Sequence, residues 1–205
     1  MLSDSTLAQN NESEELDPKV VVYQPESLER LMGITKFTRR ELKVMYRGFK
    51  QACPSGFITI DHFKDIFAKI FPQGDSSRYA TYVFNAVGDS SESQMTFAEI
   101  ALVLSTLSRG TSVEKLEWTF RLYDLDRDGF ITLGEFSRVM FSIYDLLGRN
   151  TDPPPDRFYV KARAKEIFDT MDVNGEGVVT KDEFINACLD NPLLRESLEV
   201  FNTIL

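Results

Sequence analysis

The chain is expected to be all-α: four helix–loop–helix units paired into two lobes, followed by a C-terminal amphipathic helix. Apolar residues recur at helical spacing from about residue 20 to the end. Short loops begin near 51, 88, 124 and 172, so the unit repeats four times. One turn, GFIT, occurs twice, at 56–59 and 129–132. Helices joined across a short loop cannot bury their apolar faces alone, which is why neighbouring units should pair.

Residues 1–23 are polar and acidic with little to bury, and are expected to form a flexible tail. Residues 24–110 would hold the first pair of units, 111–192 the second pair, and 193–205 the last helix. Thr38-Arg39-Arg40-Glu41 has the pattern of a capping box, with Leu42, Met45, Tyr46 and Phe49 following at helical spacing. Phe63, Ile66, Phe67, Ile70 and Phe71 repeat the period until Pro72 stops it. Tyr79, Val83 and Val87 enter the second loop; Ile100, Val103, Leu104 and Leu107 leave it and end near Gly110. Leu116, Phe120 and Tyr123 lead into the third loop, and Phe136, Val139, Met140, Ile143 and Leu147 lead out. The segment NTDPPPD at 150–156 must be a loop, because consecutive prolines lack the donors a helix needs. Ile167, Phe168 and Met171 enter the fourth loop, and Phe184, Ala187 and Cys188 leave it. Leu194, Leu198, Phe201 and Leu205 form the closing stripe.

Composition narrows the function. The 205 residues are 42% apolar, with a net charge of −9 and a pI near 4.8. Nonspecific nucleic-acid binding needs concentrated Lys and Arg, so that class is disfavoured. Cys53 and Cys188 show no metal or redox spacing and are expected to be reduced thiols. The N-terminus lacks the features of a signal peptide, and Leu2 stands where acylation would need glycine. No apolar run is long enough to span a membrane. A cytoplasmic protein is therefore expected. Enzyme activity is not: His62 is the only histidine, and neither a catalytic triad nor a phosphate-cradling glycine loop is present.

The loops carry the chemistry. A twelve-residue loop can surround a calcium ion with side chains at positions 1, 3 and 5, a carbonyl at 7, position 9, and both oxygens of a glutamate at 12. Glycine at 6 makes the turn. The third loop offers Asp124, Asp126, Asp128, the Phe130 carbonyl, Thr132 and Glu135, with Gly129 at the turn. The fourth offers Asp172, Asn174, Glu176, the Val178 carbonyl, Thr180 and Glu183, with Gly177 at the turn. Both fit the EF-hand pattern, the fourth with Glu176 where Asp or Asn is usual. Two Ca²⁺ ions are expected there, rather than two solvated acidic turns. The first loop keeps Gly56 and Ile58 but has Gln51, Cys53, Ser55 and His62 at its ligand positions, and is expected to be silent. The second, GDSSESQMTFAE at 88–99, has Gly88 at position 1 and Ser93 at position 6. A weak Mg²⁺ site there is conceivable through Glu92 and Glu99, and the missing first ligand weighs against it. The apolar residue at position 8 of each loop should pair with its neighbour.

Occupied sensor loops swing helices apart and uncover apolar surface. The aromatic-rich helices, with Phe141 and Tyr144 widening the apolar face of 136–147, suggest a groove for an amphipathic helix. The helix at 193–205 could occupy part of it. Trp118 is expected in that groove or in the core. Arg39, Lys43, Arg47 and Lys50 line one face of the first long helix; this is a solvated face or a contact for an acidic partner or lipid headgroup.

CPSG at 53–56 in a disabled first hand, followed by two working hands, resembles the neuronal calcium sensor family. PESLERL (25–31), FTRREL (37–42), YRGFKQACPSG (46–56), FPQGD (71–75), RGTSVEKLEWTFRLYD (109–124) and ESLEVFNTIL (196–205) are most similar to the Kv channel-interacting (calsenilin) group. The likeness spans about residues 24–205. It implies a cytoplasmic auxiliary subunit of A-type (Shal-type) voltage-gated potassium channels. Such subunits hold the channel's cytoplasmic N-terminal helix in the groove and sit at the plasma membrane through it. It also implies a nuclear role as a calcium-regulated repressor, which the acidic balance disfavours. Another sensor target, a cyclase or a lipid kinase, or a homo-oligomer, stays open at this point, as does a simple calcium buffer.

Overall fold

A computed structural model describes residues 26–88, 94–147 and 156–199. The expected tail, residues 89–93 of the second loop, the proline segment before Asp156, and Phe201 and Leu205 lie outside the described residues. The described chain is mostly helical, with ten helices and four three-residue strands.

A short helix that periodicity does not reveal, α1 (Leu28–Ile34), starts at Ser27, whose hydroxyl oxygen accepts from the Arg30 amide at 3.2 Å. Then come α2 (Arg39–Ala52), β1 (Phe57–Thr59), α3 (Ile60–Ile70), α4 (Ser77–Val87), β2 (Gln94–Thr96) and α5 (Phe97–Arg109). The second half runs α6 (Ser112–Tyr123), β3 (Phe130–Thr132), α7 (Leu133–Leu147), α8 (Arg157–Met171), β4 (Val178–Thr180), α9 (Lys181–Asp190) and α10 (Pro192–Glu199).

The capping box expected at Thr38 starts α2: Glu41 Oε2 accepts from the Thr38 amide at 2.8 Å, and Thr38 Oγ1 accepts from the Glu41 amide. The same device starts α5, α6 and α9 at Thr96–Glu99, Thr111–Glu114 and Thr180–Glu183. Each reciprocal pair satisfies amides that a helix end would otherwise leave bare.

The strands pair antiparallel, β1 with β2 and β3 with β4. Their registers place Ile58 opposite Met95 and Ile131 opposite Val179, the four position-8 residues, all buried. Four helix–strand–helix segments are thereby tied into two pairs. Gly129 and Gly177 at the sixth loop positions have φ of 90° and 81°, and Gly56 in the first loop has 93°, a left-handed backbone that a Cβ disfavours.

One large apolar cluster crosses the expected boundary at 110/111. Phe67, Tyr79 and Val83 of the first half pack with Leu116, Phe136, Phe168 and Phe184 of the second. Burying each such side chain stabilises by roughly 1.5–3 kcal/mol. A smaller cluster joins Leu31, Leu42, Phe97 and Ala101, and a third gathers Cys53, Ile58, Phe84 and Met95 under the first sheet. Between the halves, the Asp75 amide donates to the Asp145 carbonyl at 2.9 Å. Lys36 pairs with Glu114 at 2.5 Å, tying the segment after α1 to the start of α6. Trp118 lies in the core, and both cysteines are buried and outside any disulfide.

Candidate metal centre

The third loop begins where α6 ends. Asp124 caps that helix, its amide donating to the Phe120 carbonyl, and its side chain is buried. Asp124 Oδ2 accepts from the Gly129 amide at 3.1 Å, Asp126 Oδ1 from the Asp128 amide at 3.3 Å, and Asp128 Oδ1 from the Phe130 amide at 2.8 Å. These short-range bonds wind the loop so that the three carboxylates converge: one oxygen from each lies within 4.8 Å of the other two.

Glu135, on the first turn of α7, is 2% exposed. Its Oε1 accepts from the Leu125 and Asp126 amides at 3.0 and 3.3 Å, and its Oε2 from the Thr132 amide and hydroxyl at 2.9 and 2.7 Å. Burial acts to raise its pKa, but the Thr132 and loop-front donors together hold it below the ordinary carboxylate value. Asp124 goes the other way. Burial lifts its pKa and the charges of Asp128 and Glu135 add to that, outweighing the Gly129 and Arg127 amides.

A cation fits this geometry. Asp124 Oδ1 is buried without a hydrogen-bond donor, beside two further carboxylates. Such an oxygen is costly unless something positive meets it. A hard ion binding six to eight oxygens answers that need.

The fourth loop is built similarly but is more open. Asp172 Oδ2 accepts from the Gly177 amide at 2.9 Å and Asn174 Oδ1 from the Glu176 amide at 2.9 Å. Glu176, the unusual fifth residue, receives a hydrogen bond from Asn174 Nδ2 at 3.3 Å. Glu183 Oε2 accepts from the Thr180 amide and hydroxyl, as Glu135 does from Thr132. At the loop front, however, the Val173 amide turns back to the Met171 carbonyl. Glu183 borders an open cavity of about 650 Å³ together with Thr170 and Asn174.

A family described as an EF-hand domain pair matches residues 113–189. The chain therefore carries an EF-hand pair. The match spans α6 to α9 and takes in both loops. Together with the Asp124, Asp126 and Asp128 cluster it supports calcium binding.

The first loop shows what replaces ligands. Cys53 is buried, with its Sγ 3.8 Å from His62 Nδ1, so positions 3 and 12 pack against each other; burial pushes the Cys53 thiol up. Of the second loop, Gly88 and residues 94–99 are described. Glu99 Oε2 accepts from both the Thr96 amide and hydroxyl at 2.7 Å, giving this glutamate a capping role.

Sequence patterns single out nothing at Arg127 beyond its charge. At loop position 4 it adopts φ 62°, and its guanidinium donates across to the carbonyls of Asn85 and Gly88 at the end of α4. The third loop is thus clamped to the start of the second. Nothing in spacing announces this contact. Among the described residues, no helix is long and apolar enough to cross a membrane.

Proposed function

We propose that the chain is a calcium-responsive regulatory subunit of a Shal-type voltage-gated potassium channel, holding the channel's cytoplasmic N-terminal helix in an apolar groove. The seat of α10 carries this reading. Leu194 and Leu198 are buried in the cluster to which both halves contribute, so the molecule already accommodates an amphipathic helix there. Half-buried rings from both halves, Phe63, Phe71, Tyr82, Phe141 and Tyr144, edge the same cluster. The sequence resemblance to channel-interacting sensors spans this whole region.

In this reading four EF-hand units form two lobes, and two Ca²⁺ ions are held late in the chain. Asp124, Asp126, Asp128, the Phe130 carbonyl, Thr132 and Glu135 make one shell; Asp172, Asn174, Glu176, the Val178 carbonyl, Thr180 and Glu183 make the other. Bound calcium supplies the positive charge that neutralises these carboxylates. Glu135 joins the loop front to the first turn of α7, so turning its carboxylate shifts α7 against α6. The β3–β4 pair links that movement to the fourth loop. A target helix then competes with α10. The protein would act in the cytoplasm, reaching the plasma membrane through the channel.

Titrating a peptide of the channel's N-terminal helix into the full chain tests this. Binding is expected with Ca²⁺, weaker with chelator, and tighter after deletion of 193–205. Affinity unchanged by the deletion would remove the competition. No binding at all would remove the channel and leave a cyclase, a lipid kinase or another target for the same groove.

A further inference from the structure

Where α1, α2 and α5 meet, a cavity of about 310 Å³ is walled by Leu31, Leu42, Tyr46 and Phe97. Lys43 and Arg47 complete its lining, both exposed and one turn apart on α2. Of the other cations on that helix, Arg39 pairs with Glu29 at 3.4 Å and Lys50 donates to the Pro54 carbonyl, while Arg40 lies outside the cavity lining. Lys43 and Arg47 form no ion pair among the described residues. Glu26, also in the lining, is taken by Arg30 at 3.0 Å. An apolar hollow flanked by two unneutralised cations calls for an occupant that is apolar at one point and acidic beside it.

The chain supplies one. Glu26 is the first described residue and itself borders the cavity, so the preceding segment arrives at its mouth. That segment carries Val20-Val21-Val22-Tyr23, preceded by Glu12, Glu14, Glu15 and Asp17, with Lys19 the single cation between. At about 3.3–3.6 Å per residue, Tyr23 lies within roughly 11 Å of Glu26, and Val20 within roughly 22 Å. We infer that residues 12–23 fold back onto this face, with Val20–Tyr23 entering the cavity and the acidic run meeting Lys43 and Arg47. The basic stripe on α2 is then a dock for the chain's own N-terminal segment, separate from the proposed channel groove and independent of it.

A photoreactive benzoylphenylalanine at Tyr46 in the full chain tests the dock. Irradiation and peptide mass spectrometry should find adducts within 18–25, at a yield independent of protein concentration. Lys43→Glu with Arg47→Glu should lower that yield, and adding Glu14→Lys with Glu15→Lys should restore it. Adducts that grow with protein concentration would put a second copy in the cavity and overturn the proposal, as would adducts elsewhere or none. Because the bulky label could itself disturb the wall, hydrogen exchange gives a second reading. Val21→Asp with Val22→Asp should speed exchange in 28–34 and 39–47 roughly tenfold or more, because the cavity walls are then stripped of their apolar cover. Unchanged exchange would overturn it.

Discussion

Glu135→Gln should weaken the protein even with all metal stripped away, whereas Glu183→Gln should not. The Glu135 carboxylate is 2% exposed and accepts four hydrogen bonds, two on each oxygen. An amide has one oxygen, so glutamine can serve either the Leu125 and Asp126 amides or the Thr132 pair. Its NH₂ group must face the other pair. The Thr132 hydroxyl can turn to accept from it, but at least one main-chain donor is left unmet and the remaining bonds lose their charged acceptor, at a combined cost of about 2–6 kcal/mol. Removing the charge relieves repulsion with Asp124 by about 1–2 kcal/mol, leaving a net loss centred on about 2–3 kcal/mol. For a chain of this size that lowers Tm by roughly 4–12 °C. At Glu183 only Oε2 is engaged, by Thr180, and a glutamine oxygen can stay there. The expected shift is under about 2 °C. Thermal melts in excess chelator, followed by fluorescence of the sole tryptophan, Trp118, and by circular dichroism, read both variants. Equal shifts, or none for Glu135→Gln, would refute the claim that this side chain ties the loop shut.

Gly74→Ala should destabilise by at least about 1–3 kcal/mol, because an added Cβ overlaps the backbone carbonyl oxygens of Asp145 and Leu146, which cannot swing aside. Gly33→Ala in α1 meets nothing within 4 Å and should stabilise by up to about 1 kcal/mol; urea midpoints compare the two. The Glu41 carboxyl is held at about 2, chiefly by Arg109, against an ordinary value near 4.5. Its folded pKa is depressed, so the stability it confers is present above about pH 4.5 and fades as pH falls toward 2. Glu41→Gln keeps the capping box but loses this response, so the gap in urea midpoint between wild type and variant should shrink over that window. Leu198→Ala empties a site where the side chain is 0% exposed. Amides of residues 193–199 should then exchange faster, and under the proposed function the channel-helix peptide should bind more tightly.

Loop positions were legible because ligand geometry fixes residue type at fixed offsets, and glycine at position 6 marks a left-handed turn wherever it occurs. Pairing at position 8 followed from the same offsets. Helical periodicity identified most of the buried faces, but not their partners; Ile70, counted in the stripe of α3, is exposed at that helix's last residue. Phe67 and Tyr79 belong by position to the first half, yet they pack with α6–α9 because one continuous cluster hides more surface than two separate ones. The T-x-x-E boxes at Thr96, Thr111, Thr132 and Thr180 stand in the sequence as plainly as the one at Thr38, but three of them coincide with loop ligand positions. In the second, third and fourth loops the closing glutamate is both ligand-position residue and helix cap, so its presence at Glu99 does not by itself speak for metal. The Arg127 clamp and the docking of Gly74 depend on how separate segments meet, and no local pattern encodes that.

Calorimetric Ca²⁺ titration of the full chain, beside Glu135→Gln, Glu183→Gln and the double variant, addresses the proposed calcium centre most directly. Two ions are expected for the wild type, at affinities of about 10⁻⁷–10⁻⁵ M, one for each single variant and none for the double. No binding by the wild type, or two ions still held when both glutamates are neutralised, would contradict it.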